Sequence, residues 1–344
     1  MKQTFLVVSA VALLSSAVAT SASSPNKEMK NVLETLNEKG GKPIEKLSPQ
    51  EARLQPTPAD AVKQVMSEKK ADDKVASPKN TLAEIKEIKV DGAAGKLDAR
   101  VYLPKGSAQL PVVLYFHGGG WVIADNDVYD ATPRSLANKT NAIFVAVEYR
   151  KGPEHKFPAA HDDAFAAYKW LLRNAAAIGG DPKRIAVAGE SAGANLALNV
   201  AVMARDQKLQ LPSHELIIYP VAGVNMNTES YKQNENAKPL NKKMMGWFMD
   251  KYLRSAEDKN DPRINLLKAN LRGLAPATVI TAQIDPLRTE GRELALRMKT
   301  QGVDVTYTNY EGVTHEFFGM APVLKEARQA QEEASDELKE SFEL

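Results

Sequence analysis

Residues 184–206 read RIAVAGESAGANLALNVAVMARD, and this stretch decides how the rest of the chain is interpreted. The run RIAVA is typical of a short buried strand, and the residues after the motif have the apolar spacing of a helix. Between them lies G-x-S-x-G, formed by Gly189, Glu190, Ser191, Ala192 and Gly193. At a strand-to-helix junction this motif is a nucleophile elbow, whose small residues permit a strained turn that exposes the serine hydroxyl. We therefore predict that Ser191 is a nucleophile.

A second glycine-rich motif follows another predicted strand. The apolar run PVVLYF leads directly into HGGGW, and together they occupy residues 111–121. Consecutive glycines let backbone N–H groups point at one spot, where negative charge develops on a substrate carbonyl oxygen. We expect the N–H groups of Gly118 and Gly119 to form such an oxyanion hole together with that of Ala192. His117 is predicted to shape this loop.

A serine nucleophile needs a general base, and the base needs an orienting carboxylate. The chain has only five histidines, at positions 117, 155, 161, 214 and 315. In hydrolases with this elbow the chain order is serine, acid, histidine, which leaves His214 and His315. His214 precedes a predicted strand and therefore lies at the opposite edge of a parallel sheet from the elbow. Because His315 follows a strand, we predict that it is the base.

Asp285 is the predicted acid, since it lies just after the strand TVITA and hence at the same sheet edge as the elbow. Asp304 and Glu290 are weaker alternatives, because the first begins a strand and the second points into a helix. The other histidine or charged side chains near these motifs are predicted to be structural, namely His155, His161 and, as buried ion-pair partners, Arg150 and Glu154.

Short apolar runs alternate with amphipathic stretches after about residue 80. This alternation predicts an α/β fold with a mostly parallel eight-stranded sheet flanked by helices on both faces. Strands are predicted at 84–90, 98–103, 111–116, 143–149, 185–189, 216–219, 277–282 and 304–309. Helices are predicted at about 127–138, 159–175, 192–206, 288–301 and 321–340. Residues 25–80 instead predict short helices without a strand, and residues 225–262 form a long connection of a kind that is usually functional.

Composition excludes several kinds of site. The chain has 344 residues, no cysteine and a formal net charge of +2. Without a thiol there is no disulfide framework, cysteine nucleophile, thiolate metal site or lipidated cysteine. The balanced charge provides no basic patch for nucleic acid or for an anionic membrane surface. We expect no bound metal, no cofactor and no nucleic-acid partner.

The first 24 residues, MKQTFLVVSAVALLSSAVATSASS, have the layout of a secretory signal peptide. The apolar stretch is roughly 15 residues long, shorter than the ~20 needed to span a bilayer, and it ends in small residues. We predict cleavage after Ala19 and a mature chain of residues 20–344. The expected product is a soluble periplasmic or secreted protein without stable membrane insertion.

On these motifs the chain resembles the hormone-sensitive-lipase-like family of α/β-hydrolases, which includes bacterial carboxylesterases and acetyl esterases. Further matching segments are EYR at 148–150, PEHKFPAA at 153–160, DPR at 261–263 and DPL at 285–287. The resemblance covers nearly all of the predicted mature chain. It implies the α/β-hydrolase fold, a triad of Ser191, Asp285 and His315, an oxyanion hole of Gly118, Gly119 and Ala192, and one domain whose helical cap is formed by about residues 25–75 and 225–255.

The resemblance implies a serine carboxylesterase that hydrolyses short-chain acyl esters through an acyl-enzyme, with a small-molecule ester as its partner. An amidase or carbohydrate deacetylase with the same triad is the alternative. A non-catalytic small-molecule binder is a third option, disfavoured by the presence of His315. The oligomeric state stays open, with a homodimer as one option. The predicted substrate-pocket residues are Trp121, Tyr149, Glu190, Phe317 and Trp247.

Three positions depart from the family pattern. Glu190 stands where many relatives carry aspartate, and Lys151-Gly152 replaces an apolar pair. Glu316 follows His315 where glycine is commoner. A carboxylate beside the base either raises its pKa or narrows the mouth of the pocket, and the sequence leaves the effect on rate open.

Overall fold

The computed structural model describes residues 23–72, 82–106 and 109–343. The predicted signal peptide, residues 1–19, lies outside the described residues. Across these three ranges no helix combines the length and the apolar character that crossing a membrane requires.

Within the described ranges, eight strands form one sheet. In chain order they are β1 (Glu84–Gly92), β2 (Gly95–Leu103), β3 (Leu110–Phe116), β4 (Ile143–Val147), β5 (Gly180–Glu190), β6 (Glu215–Ile218), β7 (Ala277–Ile284) and β8 (Val305–Thr314). Their spatial order is β1-β2-β4-β3-β5-β6-β7-β8. The pairs β1/β2 and β2/β4 are antiparallel, and every later pair is parallel. The predicted mostly parallel sheet and its eight strands are confirmed.

Helices cover both faces of this sheet because its central strands are apolar on both sides. In β3, Val112 and Leu114 pack into the core on one face, and Val113 and Tyr115 pack into the core on the other. The covering helices are α4 (Ala131–Thr140), α5 (Ala159–Asn174), α6 (Ala192–Asp206), α9 (Arg288–Thr300) and α10 (Lys325–Ser341). Such continuous burial is expected of parallel strands between two helical layers.

Two of the predicted helices begin later than expected. The helix predicted from residue 127 begins at Ala131, because Oδ1 of Asp125 accepts hydrogen bonds from the backbone N–H groups of Asp127 and Val128, both at 3.0 Å. Such side-chain bonds favour a turn over a helix. The helix predicted from residue 321 begins at Lys325, after a separate 3₁₀ helix.

The N-terminal segment is helical, as predicted. It contains α1 (Lys27–Glu38), α2 (Pro49–Ala52) and α3 (Pro58–Asp72). Thr57 precedes α3, and its hydroxyl accepts a hydrogen bond from the backbone N–H of Asp60 at 3.2 Å, while the Asp60 carboxylate accepts one from the backbone N–H of Thr57 at 3.0 Å. This reciprocal pair starts the helix at Pro58.

The long connection after β6 lies against the N-terminal segment. It contains α7 (Glu229–Gln233) and α8 (Lys242–Tyr252). The indole N–H of Trp247 donates to the carbonyl oxygen of Leu47 at 3.3 Å, and Nζ of Lys238 donates to Oδ1 of Asn37 at 3.0 Å. Two segments about 200 positions apart in the chain therefore meet.

Arg53 fixes the N-terminal segment to the body of the protein. Its guanidinium group donates to the carbonyl oxygens of Val122 and Gly152 at 2.9 and 2.8 Å, and pairs with Glu154 at 2.7 Å. The prediction that Glu154 is a buried ion-pair partner is half right, because the pair exists but the Glu154 side chain is 42% exposed. It lies at the rim of the contact, where the carboxylate stays hydrated.

Candidate active site

The elbow is formed by the junction of β5 and α6. Ser191 has φ 57° and ψ −116°, a conformation that costs energy for any residue except glycine. A β-carbon at Gly189 would lie 2.2 Å from the carbonyl oxygen of Gly193, and one at Gly193 would lie 2.0 Å from that of Phe116. The backbone is thus packed too closely at both glycine positions for any side chain, which explains why the motif has glycine there.

Ser191, His315 and Asp285 come together at the carboxyl edge of the sheet. Nε2 of His315 lies 3.0 Å from Oγ of Ser191, and Nδ1 lies 2.6 Å from Oδ2 of Asp285. Oδ1 of Asp285 accepts the backbone N–H of Leu287 at 2.8 Å. An ionised Asp285 requires the proton on Nδ1, which leaves Nε2 free to accept the serine proton. The arrangement is that of a nucleophile with its base and orienting acid.

The pKa of His315 reflects opposing influences. Burial lowers it, but the charge and hydrogen bond of Asp285, with further contributions from Glu316 and Glu190, raise the pKa above its usual value of 6.5. A raised pKa makes the imidazole a stronger base once it is neutral.

The HGGGW loop lies directly against the elbow. Gly119 has φ +95°, and a β-carbon there would lie 2.2 Å from the carbonyl oxygen of Ile123. A β-carbon at Gly118 would lie 3.2 Å from the carbonyl oxygen of Glu190. The structure therefore places the backbone of Gly118 beside that of Glu190, two residues before Ala192 and the start of α6.

The buried rings of Tyr149 and His117 hold this loop in place. The hydroxyl of Tyr149 donates to the carbonyl oxygens of His117 and Gly118 at 2.8 and 3.1 Å, and its ring stacks on that of His117 at 4.4 Å. Nδ1 of His117 lies 2.8 Å from the carbonyl oxygen of Gly118. These contacts account for the loop-shaping role predicted for His117.

A buried carboxylate lies beneath the elbow. Glu190 accepts hydrogen bonds from the hydroxyls of Tyr115, at 2.5 Å, and Tyr219. Burial, only partly offset by these bonds, raises the pKa of Glu190 to about 7. The ring of Tyr219 lies 4.6 Å from the ring of His315. Glu190 is thus linked to the base through Tyr219.

A cavity of about 390 Å³ opens above the serine. The residues that line it include Ser191, His315, Glu316, Gly119 and Gly120. Its apolar wall combines side chains from the N-terminal segment, the region after β3 and α8, namely Leu33, Leu36, Ile123, Val128, Met244, Met245 and Phe248. The volume is at the lower end of the range for small-molecule sites.

None of the five predicted substrate-pocket residues is among the residues that line this cavity. Trp121 is buried against Tyr252, with ring centroids 4.9 Å apart, and Phe317 packs on Tyr219 at 6.0 Å. Tyr149 and Glu190 are the buried supports just described. The Trp247 side chain contacts Leu47 and does not line the cavity. Its neighbour Phe248 lines the cavity in its place.

His161 and His214 have structural positions. His161 is buried between the hydroxyl of Tyr252 and Oδ1 of Asn195, each 2.9 Å away. Nε2 of His214 lies 2.9 Å from Oγ1 of Thr278, at the end of the strands opposite to the elbow. Burial lowers the pKa of each to about 4. Within the described ranges, no group of three or more histidine or acidic side chains is placed to hold a metal ion.

Sequence reasoning missed Phe248 and Met245 as cavity residues and left the position of Glu316 open. The aromatic and methionine-rich run MMGWFM at 244–249 indicated that this segment contributes to an apolar surface. It did not show which residues line the cavity, because a helix places adjacent residues on different faces. The choice between Trp247 and Phe248 depends on how α8 is rotated against the rest of the molecule.

A family model described as the alpha/beta hydrolase fold matches residues 113–319. This chain belongs to that family. Carboxylic ester hydrolase LipN of Mycobacterium tuberculosis is 35% identical over 244 residues, 69% of this chain and 65% of LipN, so the match spans just under two thirds of that relative. Carboxylesterase NlhH of the same organism is 36% identical over 262 residues, 74% of this chain and 82% of NlhH.

Two further similarities extend this picture. An ethyl acetate hydrolase of Pseudomonas putida is 35% identical over 217 residues, 62% of this chain and 68% of its own length. The solved structure of a hyperthermophilic esterase from Pyrobaculum calidifontis has a TM-score of 0.82 at 32% identity and covers 93% of this chain and 99% of that one. The predicted resemblance, fold class and enzyme class of carboxylic ester hydrolase are confirmed.

Proposed function

We propose that this α/β-hydrolase is a serine carboxylesterase that cleaves short-chain acyl esters with Ser191, His315 and Asp285. The observation that carries the proposal is the unbroken chain of contacts from Ser191 through His315 to Asp285, at 3.0 and 2.6 Å. All three side chains are at least 95% buried, yet Ser191 and His315 line the cavity. A nucleophile and a general base that line a small cavity are suited to acyl transfer.

Acylation begins when Nε2 of His315 takes the proton from Oγ of Ser191 as this oxygen attacks the ester carbonyl carbon. Negative charge then develops on the carbonyl oxygen. The backbone N–H groups of Gly118, Gly119 and Ala192 are the proposed donors to that oxygen. His315 returns its proton to the departing alcohol, and the acyl group stays on Ser191 as an ester.

Deacylation repeats the same steps with water. Nε2 of His315 removes a proton from a water molecule, whose oxygen attacks the acyl-enzyme carbonyl. The tetrahedral intermediate collapses, Ser191 regains its proton from His315, and the carboxylic acid leaves. Asp285 stabilises the charged imidazole in both half-reactions without itself taking a proton.

The preference for short acyl chains is supported by the small volume of the cavity and by the name of one relative. The cavity of about 390 Å³ is lined by residues of both the N-terminal segment and the connection after β6. The ethyl acetate hydrolase of Pseudomonas putida is named for an ester with a two-carbon acyl group. We propose that residues 25–75 and 225–255 act as a cap that limits acyl length.

Export belongs to the same proposal and rests on residues 1–19 of the sequence. Their single lysine, apolar stretch and small-residue end favour cleavage after Ala19. N-terminal sequencing of protein recovered from the periplasm or medium should begin at Thr20. A mature protein that still begins at Met1 would contradict this part of the proposal.

The assignment is tested with p-nitrophenyl esters from acetate to palmitate, together with acetylated xylan and a matched amide. We expect the highest kcat/KM for acetate or butyrate. Ser191→Ala should lower kcat by at least ~10³-fold. Ser341→Ala, at the distant end of α10, is the matched control and should leave kcat unchanged. A fluorophosphonate should label the wild type and not Ser191→Ala, whereas a non-catalytic binder would not react at all.

A further inference from the structure

Glu316 occupies a backbone conformation that disfavours its own side chain. Its φ is +71°, in the left-handed region where glycine is unstrained. It directly follows His315 and precedes a 3₁₀ helix, so the turn that positions the base passes through it. Backbone strain next to a proposed catalytic residue indicates that the Glu316 side chain has a function at the site.

One carboxylate oxygen of Glu316 is anchored. Oε1 accepts a hydrogen bond from the hydroxyl of Tyr129 at 2.5 Å. That hydroxyl lies against the oxyanion loop, since a β-carbon at Gly118 would be 2.2 Å from it. The carboxylate is therefore held between the loop that carries Gly118 and the turn that carries His315.

The second oxygen, Oε2, has no hydrogen-bond partner among the residues that the structure describes. Glu316 lines the same cavity as Ser191 and His315 and is only half-buried, so this oxygen has access to a ligand. Burial raises the pKa of Glu316, as expected for a carboxyl group removed from water. A partly desolvated acceptor of this kind gains from a donor supplied by the substrate.

Two cationic side chains of the cavity wall, Lys151 and Arg53, are engaged elsewhere. Nζ of Lys151 donates to the carbonyl oxygen of Ala124 at 2.6 Å and lies 3.3 Å from Glu148. Arg53 is paired with Glu154 and with backbone carbonyl groups. Neither side chain compensates Glu316, which leaves its acceptor available in an otherwise largely apolar cavity.

We propose that Oε2 of Glu316 accepts a hydrogen bond from a hydroxyl group of the substrate, so that the enzyme selects hydroxylated esters over esters of the same shape without the hydroxyl. The substrate class is an ester of a polyol or of a hydroxy acid. This inference rests on the proposed function, because it concerns the selectivity of the same site.

The test compares two pairs of esters that differ only in replacement of a hydroxyl by a methyl group. On the alcohol side the pair is 2-hydroxyethyl butyrate and propyl butyrate. On the acyl side it is ethyl 3-hydroxybutyrate and ethyl 3-methylbutyrate. The readout is the ratio of kcat/KM within each pair, which shows whether the hydroxyl belongs to the alcohol or the acyl part.

Glu316→Gly removes the carboxylate and suits the left-handed backbone. Glu316→Asn, whose side chain is shorter and also tolerates that backbone, is the second variant if the first is unstable. Glu190→Gln is the matched control, since Glu190 also influences the pKa of His315 but does not line the cavity. Thermal unfolding of each variant confirms that it is folded.

We expect the hydroxyl-to-methyl ratio of one pair to fall about tenfold or more in Glu316→Gly and Glu316→Asn, and to stay within about twofold in Glu190→Gln. Ratios that are unchanged for both pairs in Glu316→Gly would overturn the inference. An equal change in Glu190→Gln would also overturn it, because the effect would then be electrostatic. Failure of the wild type to hydrolyse p-nitrophenyl butyrate would instead refute the proposed function.

Discussion

Nε2 of His315 lies 3.0 Å from Oγ of Ser191, although the two residues are 124 positions apart in the chain. Strands β6 and β7 separate β5, which ends beside Ser191, from β8, which precedes the turn of His315. Parallel register carries the alignment across the sheet, since Glu190 pairs with Ile218 and Ile218 pairs with Ile280. The contact between Ser191 and His315 therefore depends on the register of four strands.

Asp285→Asn should lower kcat by about 10³-fold to 10⁴-fold with little loss of stability. The backbone N–H of Leu287 already occupies Oδ1, so the amide N–H₂ of asparagine would face Nδ1 of His315. The imidazole proton would then move to Nε2, which could no longer accept the serine proton. Asp304→Asn, at an exposed position, is the control and should keep full activity. Loss of activity in the control alone would reverse the assignment of the acid.

The pH dependence of kcat/KM should show an acidic limb governed by His315, because only the neutral imidazole accepts a proton. Activity should rise as pH increases through a pKa above 6.5. Glu190→Gln removes a carboxyl group whose ionised form raises the pKa of His315, so the limb should move to lower pH. The measurement is kcat/KM from pH 5 to 9 with one nitrophenyl ester. A limb displaced to higher pH would contradict the proposed electrostatic influence.

Gly193→Ala should destabilise the protein by about 3 kcal/mol or more, although alanine is a better helix former than glycine. Its β-carbon would lie 2.0 Å from the backbone carbonyl oxygen of Phe116, the last residue of β3. Gly246→Ala in α8 is the matched control, because nothing lies within 4 Å of a β-carbon there. That variant should gain about 0.5–1 kcal/mol. The measurement is the free energy of unfolding of both variants in urea. Equal changes in the two variants would show that the close contact at Gly193 does not limit stability.

Glu290 should make the protein less stable at alkaline pH. Burial raises its pKa to about 8 from the usual 4.5, so the folded state disfavours the charged form. The associated loss of stability is absent below pH 4.5 and accumulates as pH rises toward 8. It amounts to about 1 kcal/mol for each pH unit, and so reaches a few kcal/mol in total.

Glu290→Gln stays neutral and keeps an oxygen for the backbone N–H groups of Ala222 and Gly223. Melting temperatures of wild type and variant, measured between pH 5 and 9, should diverge in favour of the variant as pH rises. A constant difference over this range would show that Glu290 is not titrating.

The site residues were predictable where the chemistry depends on a short stretch of chain. The elbow around Ser191 and the loop around Gly118 are recognisable because close backbone contacts admit only glycine at fixed positions. Asp285 and His315 followed from the rule that parallel strands end at one edge of a sheet. The structure brings Ser191, His315 and Asp285 within hydrogen-bond distance, and their catalytic roles belong to the proposed function.

The cavity wall was not predictable in the same way. Trp247 and Phe248 are adjacent in α8, yet one contacts Leu47 and the other lines the cavity, because successive helical residues point about 100° apart. Trp121 follows the glycines of the oxyanion loop but turns inward to stack on Tyr252. Aromatic character alone does not reveal which side of a packed layer a ring occupies.

By itself, the sequence determined the alternation of strands and helices, the G-x-S-x-G turn, the HGGGW loop and the chain order of Ser191, Asp285 and His315. These features depend on hydrophobic periodicity and on steric limits within a few residues. Only the tertiary structure decided which side chains line the cavity above Ser191 and that Glu316 places a carboxylate beside His315. Those features arise where segments far apart in the chain pack together, and the rotation of each helix in that packing is a property of the whole core.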